Sequence, residues 1–250
     1  MSTDGLLREI VAAQPYPLLF ATVSGAHLYG FPSADSDYDL RGVHILPARD
    51  VLGLGVPRDT IETSEDRDGT LVDLVTHDAA RFFRLLLRRN GYVLEQLTSP
   101  LVVHTTHEHA ELCHLVPACV TRHHAHHYLG FARSQWSLFV KERPGRIKPL
   151  LYVYRVLLTG IHLIRSGQIE ANLLTLNETA RLPFVDELVQ AKMVAERAAL
   201  DDADLAFHER EVGRLLAELE SAASSSSLPD LPTAGPALSD LLVRVRLATV

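Results

Sequence analysis

The sequence is short of cysteine, tryptophan and methionine, and it has no excess of positive charge. Two cysteines, Cys113 and Cys119, among 250 residues are too few for a disulfide framework, and they read as free buried thiols. Twenty-four Lys and Arg against thirty-one Asp and Glu leave a formal net charge of -7. That balance argues against a surface that coats nucleic acid throughout, while a local basic groove stays compatible with it. No uninterrupted apolar run approaches the ~18 residues of a membrane span. The opening MSTDGLLREIVAAQ has an acidic residue and helical patterning where a secretory signal needs a basic start and a continuous apolar stretch. The expectation is a cytoplasmic chain with no membrane attachment. Internal repeats, Cys-x-x-Cys and His-Glu-x-x-His are also absent.

What is present suffices for a full core: 47% of the residues are hydrophobic, enough for two packed lobes at this length. Helical spacing over residues 5–13 leads through Pro15-Tyr16-Pro17 into LLFATVSGA, a buried strand ending at Gly25. YDLRGVHIL around Asp39 and TLVDLVT at 70–76 read as second and third strands. Asp78 caps a helix, AARFFRLLLRRN, closed by Asn90-Gly91, and a short helix follows at 92–98. Beyond residue 105 the patterning is almost wholly helical, with a Ser- and Pro-rich connector at 224–236 before a last short helix. The expected fold is α+β: residues 1–105 form a small mixed sheet with flanking helices, and residues 106–250 form a C-terminal helical bundle.

SGAHLYGFPSADSDYDLRGV, residues 24–43, carries the chemistry. Asp37 and Asp39 project to the same side of a strand, ~7 Å apart along the chain. Mg²⁺ prefers oxygen ligands, usually one or two carboxylates plus substrate phosphates, so Asp-x-Asp beside a glycine-bearing loop suits a nucleoside triphosphate. Asp and Ser in a surface loop are equally common as turn chemistry. The composite of strand, glycine, polar loop and carboxylate pair resembles the nucleotidyltransferase superfamily that includes DNA polymerase β. Gly25, Tyr29-Gly30, Ser36-Asp37-Tyr38-Asp39 and Arg41-Gly42-Val43 resemble the RNA-ligase-associated predicted nucleotidyltransferases, whose pattern runs Gly-Ser-x-x-Tyr-Gly, Ser-Asp-x-Asp, Arg-Gly-Val. The resemblance is specific over residues 18–100. One departure stands out: Ala26 occupies the serine position after the glycine, with Ser24 on the other side of Gly25.

The resemblance implies a third carboxylate, for which Asp73 is the candidate ahead of Asp66, Asp68 and Asp78; its plain alternative is a strand-edge Asp paired with a base. It further implies that Asp37, Asp39 and Asp73 bind Mg²⁺ (or Mn²⁺), and that a nucleoside monophosphate moves from a nucleoside triphosphate to an acceptor hydroxyl while pyrophosphate leaves. Ser24, Gly25, Ser36 and Arg41 would meet the substrate, Arg41 either balancing the carboxylates, touching a phosphate or making a structural ion pair. Arg81, Arg84 and Arg88 share a helical face, either phosphate-binding or solvated. Lys148, Tyr152 and Arg155 fall at i, i+4 and i+7, a spacing that suits either a phosphate-facing set or salt bridges to acidic helices.

The acceptor is open: an RNA end, a protein hydroxyl or a small molecule. Two other classes compete. Ala26 and the acidic balance fit a nucleotide-binding regulatory module with little turnover. Thirteen histidines, dense in HEHAELCH and RHHAHHY near both cysteines, fit a zinc-binding interaction protein, or else histidines at an interface or on solvent.

Overall fold

In the computed structural model, which describes residues 2–55, 57–67, 69–141, 145–194, 199–200 and 205–248, contacts divide the chain into two units. The first holds Met1–Leu28, Asp37–Cys119 and Pro232–Val250; the second holds Tyr29–Ser36 and Val120–Leu231. Asp68, one of the competing carboxylates, lies outside the described residues.

The first unit begins with α1 (Thr3–Ala12), whose Ser2 cap accepts from the Gly5 amide and whose Leu6, Leu7, Ile10 and Val11 are buried. Then come β1 (Leu18–Ser24), the short α2 (Gly25–Tyr29), β2 (Tyr38–His44), α3 (Ala48–Leu52), β3 (Thr60–Arg67), β4 (Thr70–Asp78), α4 (Ala79–Leu86), α5 (Gly91–Leu97), β5 (Val102–Thr105) and α6 (His107–Cys119). The sheet order is β3-β4-β2-β1-β5. Only the β2–β4 pairing is parallel. β1 is buried along its whole length because both of its faces are covered. Ala21 and Val23 join α1 in one apolar cluster, while Phe20 turns the other way, edge-on to Phe82 of α4 and stacked on His109 of α6.

The second unit continues from a short 3₁₀ turn (Arg122–His124) through α7 (Ala125–Lys141), β6 (Gly145–Arg146), α8 (Ile147–Ser166), α9 (Leu173–Ala180), α10 (Pro183–Val194), β7 (Ala199–Leu200) and α11 (Leu205–Ser225). α8 is long and apolar enough by composition to cross a membrane, yet most of it is buried within the protein. It is the core helix that α7, α9, α10 and α11 pack around. The mixed sheet with a helical C-terminal region is the α+β architecture expected from the sequence.

Four details differ from the sequence reading. TIETSEDR, for which the sequence suggested no strand, forms β3, so Asp66 stands on an edge strand; β5 was also unforeseen. Asn90 does not close α4 but caps α5, accepting from the Tyr92 amide. The contact division also departs from a cut at residue 105. α6 packs with the sheet unit, and the last helix, α12 (Gly235–Ala248), returns to it: Arg246 clamps both Asp78 carboxylate oxygens at 2.6 Å and donates to Leu46 O, and Arg244 pairs with Glu111. Both cysteines are free, and burial pushes the Cys119 thiol up to about 11.

His44, buried and hydrogen-bonded to Thr76, is held down to about 4 by burial, with nearby Arg246 and His77 adding to the effect and Asp78 opposing it. The unfolded chain takes up this proton near pH 6.5 and the folded chain does not until about pH 4. Stability is therefore complete above pH 6.5 and drains away as pH falls toward 4, by about 3 kcal/mol from this residue alone. Burial also lowers His77, His109 and His127, which steepens the same acid limb. Urea unfolding from pH 7 to 4 should show that limb, and His44→Asn should make it shallower by roughly one proton; equal slopes in both proteins would refute the assignment.

Candidate active site

The register of the sheet lines up one row of polar side chains. β2 pairs Asp39 with Asp73 of β4, β1 places Ser24 opposite Asp39, and β3 places Ser64 opposite Asp73. Partners in register share a face, so Ser24, Asp39, Asp73 and Ser64 run side by side across four strands. Along β4 the alternate residues Val72, Leu74, Thr76 and Asp78 are buried, while Leu71, Asp73, Val75 and His77 are half-buried on the row's face. One step along the strands the row reads Thr22, Arg41, Val75, Glu62, and the next reads Phe20, Val43, His77, Thr60. Helices cover this face from the Phe20 end inward. At the Arg41 row, Tyr92 of α5 meets Arg41 and Thr22 donates to Gln96 O. Asp39 and Asp73 lie one row further out.

Two carboxylates on neighbouring strands ~5 Å apart repel by ~3 kcal/mol at an effective dielectric near 20. Arg41 answers that repulsion. Its Nη2 reaches Asp39 Oδ1 at 2.7 Å, Nη1 donates to the carbonyls of Leu40 and Asp73, and Nε donates to the Tyr92 hydroxyl at 3.0 Å. Burial pulls the guanidinium pKa down, and Tyr92 and Asp39 outweigh it, leaving the pKa raised. Of the three roles open to Arg41, charge balance through a structural ion pair is the one the geometry displays.

Gly25 adopts φ +62°, and a Cβ there would lie 1.9 Å from Asp39 Oδ2. The glycine is therefore required twice, by its backbone and by its neighbour. Ser24 is fully buried, and its Oγ has no hydrogen-bond partner among the described residues. Ala26 is buried in α2. Asp37 stands just ahead of β2 and is exposed. Among the described residues, no three His, Cys, Asp or Glu side chains gather closely enough to hold a metal ion by themselves. Asp39 and Asp73 are thus brought together as an oxygen pair, and Asp37 is not drawn in to complete a cage.

Ser36, Lys148, Tyr152 and Arg155 belong to the second unit. Ser36 bonds to Ser33 and to Lys192. The Arg155 guanidinium lies 3.8 Å over the ring of Tyr29, and Tyr152 meets Tyr29 and Phe31 edge-on. Lys148 is half-buried in the first turn of α8. On α4, Arg81 is bound by Asp59 and Arg84 is exposed; Arg88 is exposed as well but lies beyond the helix, which ends at Leu86, so the three do not share one helical face. The histidines are dispersed into local structure: His109 bonds Thr105 and Leu97 O, His124 bonds Thr121, and His123 bonds Asp230.

Sequence reasoning missed Tyr92, Ser64 and Lys192. Nothing in the local pattern marks Tyr92 as a partner of Arg41. Ser64 was lost with β3, whose alternation of Thr60, Glu62 and Ser64 against Ile61, Thr63 and Glu65 is too polar to announce a strand.

Comparison with known proteins adds the following. A family model described as the RNA repair pathway DNA polymerase beta family matches residues 2–244. The uncharacterized protein MJ0002 of Methanocaldococcus jannaschii is 29% identical over 154 residues, 62% of this chain and 63% of that protein. The uncharacterized protein YcgL of Bacillus subtilis is 27% identical over 165 residues, 65% of this chain and 62% of that one. The matches thus span less than two thirds of either relative. A crystal structure of a nucleotidyltransferase-like protein from Exiguobacterium sibiricum aligns over 97% of this chain and 78% of its own at 14% identity, with a TM-score of 0.35, too low to support an argument.

Gly25→Ala should force Asp39 out of its place and cost at least the ~1–2 kcal/mol of a left-handed non-glycine residue. Chemical denaturation measures the loss; an alanine variant as stable as wild type would show that the Gly25–Asp39 contact is not a constraint.

Proposed function

The chain belongs to the RNA repair pathway DNA polymerase beta family, and from that premise we propose that it is a metal-dependent nucleotidyltransferase. It moves a nucleoside monophosphate from a nucleoside triphosphate to an acceptor hydroxyl. The observation that carries the proposal is the in-register pair Asp39 and Asp73, half-buried on one face of the sheet, backed by Gly25 and tied down by Arg41.

The donor set fits Mg²⁺ or Mn²⁺. Both carboxylates are half-buried hard oxygen donors, and such ions commonly take one or two carboxylates and complete their shell with substrate phosphates. That preference is compatible with a site in which three carboxylates are not already gathered. Asp39 and Asp73 would hold the ion, with Asp37 joining from the start of β2. Bound there, the ion supplies charge neutralisation for the triphosphate and for the developing charge of an in-line displacement.

The remaining work falls to the protein's own groups. Arg41 holds Asp39 Oδ1, which leaves the other oxygen, Oδ2, on the Gly25 side. Gly25, lacking a side chain, lets the Asp39 carboxylate sit against the loop backbone. Asp73 takes the proton of the acceptor hydroxyl as its oxygen attacks the α-phosphorus; the bond to the β-phosphate oxygen breaks and pyrophosphate leaves. An RNA end is the acceptor we propose first. The family's description supports it, as do the exposed Arg84 of α4 and Arg88 just beyond that helix, which offer phosphate contacts.

Asp39→Asn and Asp73→Asn should each abolish Mg²⁺-dependent transfer of a labelled nucleoside monophosphate to RNA, while changing the melting temperature by only a few degrees. Removing one carboxylate weakens the clamp on the ion rather than the core. Turnover at wild-type rates in both variants would sink the assignment. Triphosphate binding without transfer to RNA, protein or small-molecule hydroxyls would instead favour a nucleotide-binding module.

A further inference from the structure

The loop of residues 29–36, which leads into Asp37, is built on the helices of its own unit. At its start the Tyr29 ring lies under Arg155, and Tyr29 and Phe31 pack against Tyr152, both from α8. Gly30, at φ +87°, sits so close to Asn172 at the start of α9 that a Cβ would come within 2.4 Å of its Oδ1. At the other end Ser33 and Ser36 close a turn on each other. The Ser36 amide donates to Ser33 O at 3.1 Å, the Ser33 amide donates to Ser36 Oγ at 2.9 Å, and the two hydroxyls are 2.9 Å apart.

Into that turn reaches Lys192 of α10. It is 0% exposed, and its Nζ donates to Ser33 Oγ at 2.8 Å and to Ser36 Oγ at 3.2 Å. Lysine is almost never fully buried, because removing an ammonium from water is costly unless it is well bonded. An apolar side chain of the same length would fill the space at lower cost. What the ammonium adds is direction: two charge-assisted hydrogen bonds select one arrangement of both hydroxyls.

We infer that Lys192 is a positioning residue for nucleotidyl transfer: acting through Ser33 and Ser36, it sets the conformation of the loop that delivers Asp37, one peptide bond beyond Ser36. The inference rests on the reading of Asp37, Asp39 and Asp73 as the reacting centre. It gives Ser36 a role in shaping the loop, and it assigns to α10 a control over the first carboxylate that runs along the chain itself.

The test uses the full chain with Lys192→Met, which keeps length and removes the ammonium, and Lys192→Arg, which restores a donor. Hydrogen exchange should speed up by about tenfold or more at the amides of residues 30–36 in Lys192→Met, while α8 keeps its protection. The kcat for triphosphate turnover should fall by a similar factor with KM changed less than about threefold, and Lys192→Arg should recover part of both. Should Lys192→Met fail to fold, Ser36→Ala, which removes one acceptor, must show the same local exchange. Unchanged exchange in residues 30–36 would overturn the inference. So would exchange rising equally in α8, because Lys192 would then only support the unit as a whole. If wild-type protein turned over no triphosphate, the transfer reading would fall by itself, and the exchange comparison would still decide whether Lys192 orders the loop.

Discussion

The parallel, in-register pairing of β2 with β4 is the constraint on which the candidate site depends. It sets Asp39 directly beside Asp73, and the register is enforced by the other face of the same strands. Leu40, Val72 and Leu74 are buried in the cluster with α1. Because side chains alternate, a slip of one residue in β4 would carry Asp73 into that cluster and bring Val72 and Leu74 out to the half-open face. An unpaired carboxylate among leucines and valines is one of the costliest errors a sheet can make. The apolar side thus holds the polar side in place, and the carboxylate pair is as well fixed as the core behind it.

The face itself is divided by its cover. Where α4, α5 and α6 lie on the sheet, the row is Phe20, Val43 and His77, and it packs. At Arg41 the cover ends in polar contacts with Tyr92 and with the end of α5. The arginine stands at the margin between a packed interior and an open edge. It satisfies the carbonyls of Leu40 and Asp73 on one side and Asp39 on the other. Such a margin is where a sheet can keep two like charges adjacent without burying them and still hold them rigidly.

What could be read from the sequence was what is local. TLVDLVT is a strand, β4, and Asp78 caps α4 by accepting from Ala80 two residues on, whereas Asp37 falls just short of the strand that carries Asp39. The first two need only the period of a strand or the geometry of a helix end. β3 escaped because an edge strand is open on both faces: its residues are half-buried or exposed throughout, so selection for burial leaves little apolar pattern in TIETSEDR. Lys148, Tyr152 and Arg155 fall at i, i+4 and i+7 of α8, and Tyr152 and Arg155 there meet Tyr29 and Phe31. Helical spacing tells which side chains stand together and says nothing of what they stand against.

The same limit explains the buried cations. Arg41 bonds Tyr92 across 51 positions, Lys192 bonds Ser33 across 159, and Arg246 bonds Asp78 across 168. A buried positive charge obliges the fold to supply acceptors, and the acceptors come from wherever the chain happens to pass. Tyr92 acts through Arg41 on Asp39, the Ser33–Ser36 turn precedes Asp37, and Asp78 ends the strand that carries Asp73. Charge burial is a poor source of stability, yet each of these charge-assisted bonds fixes the direction of the groups that accept it.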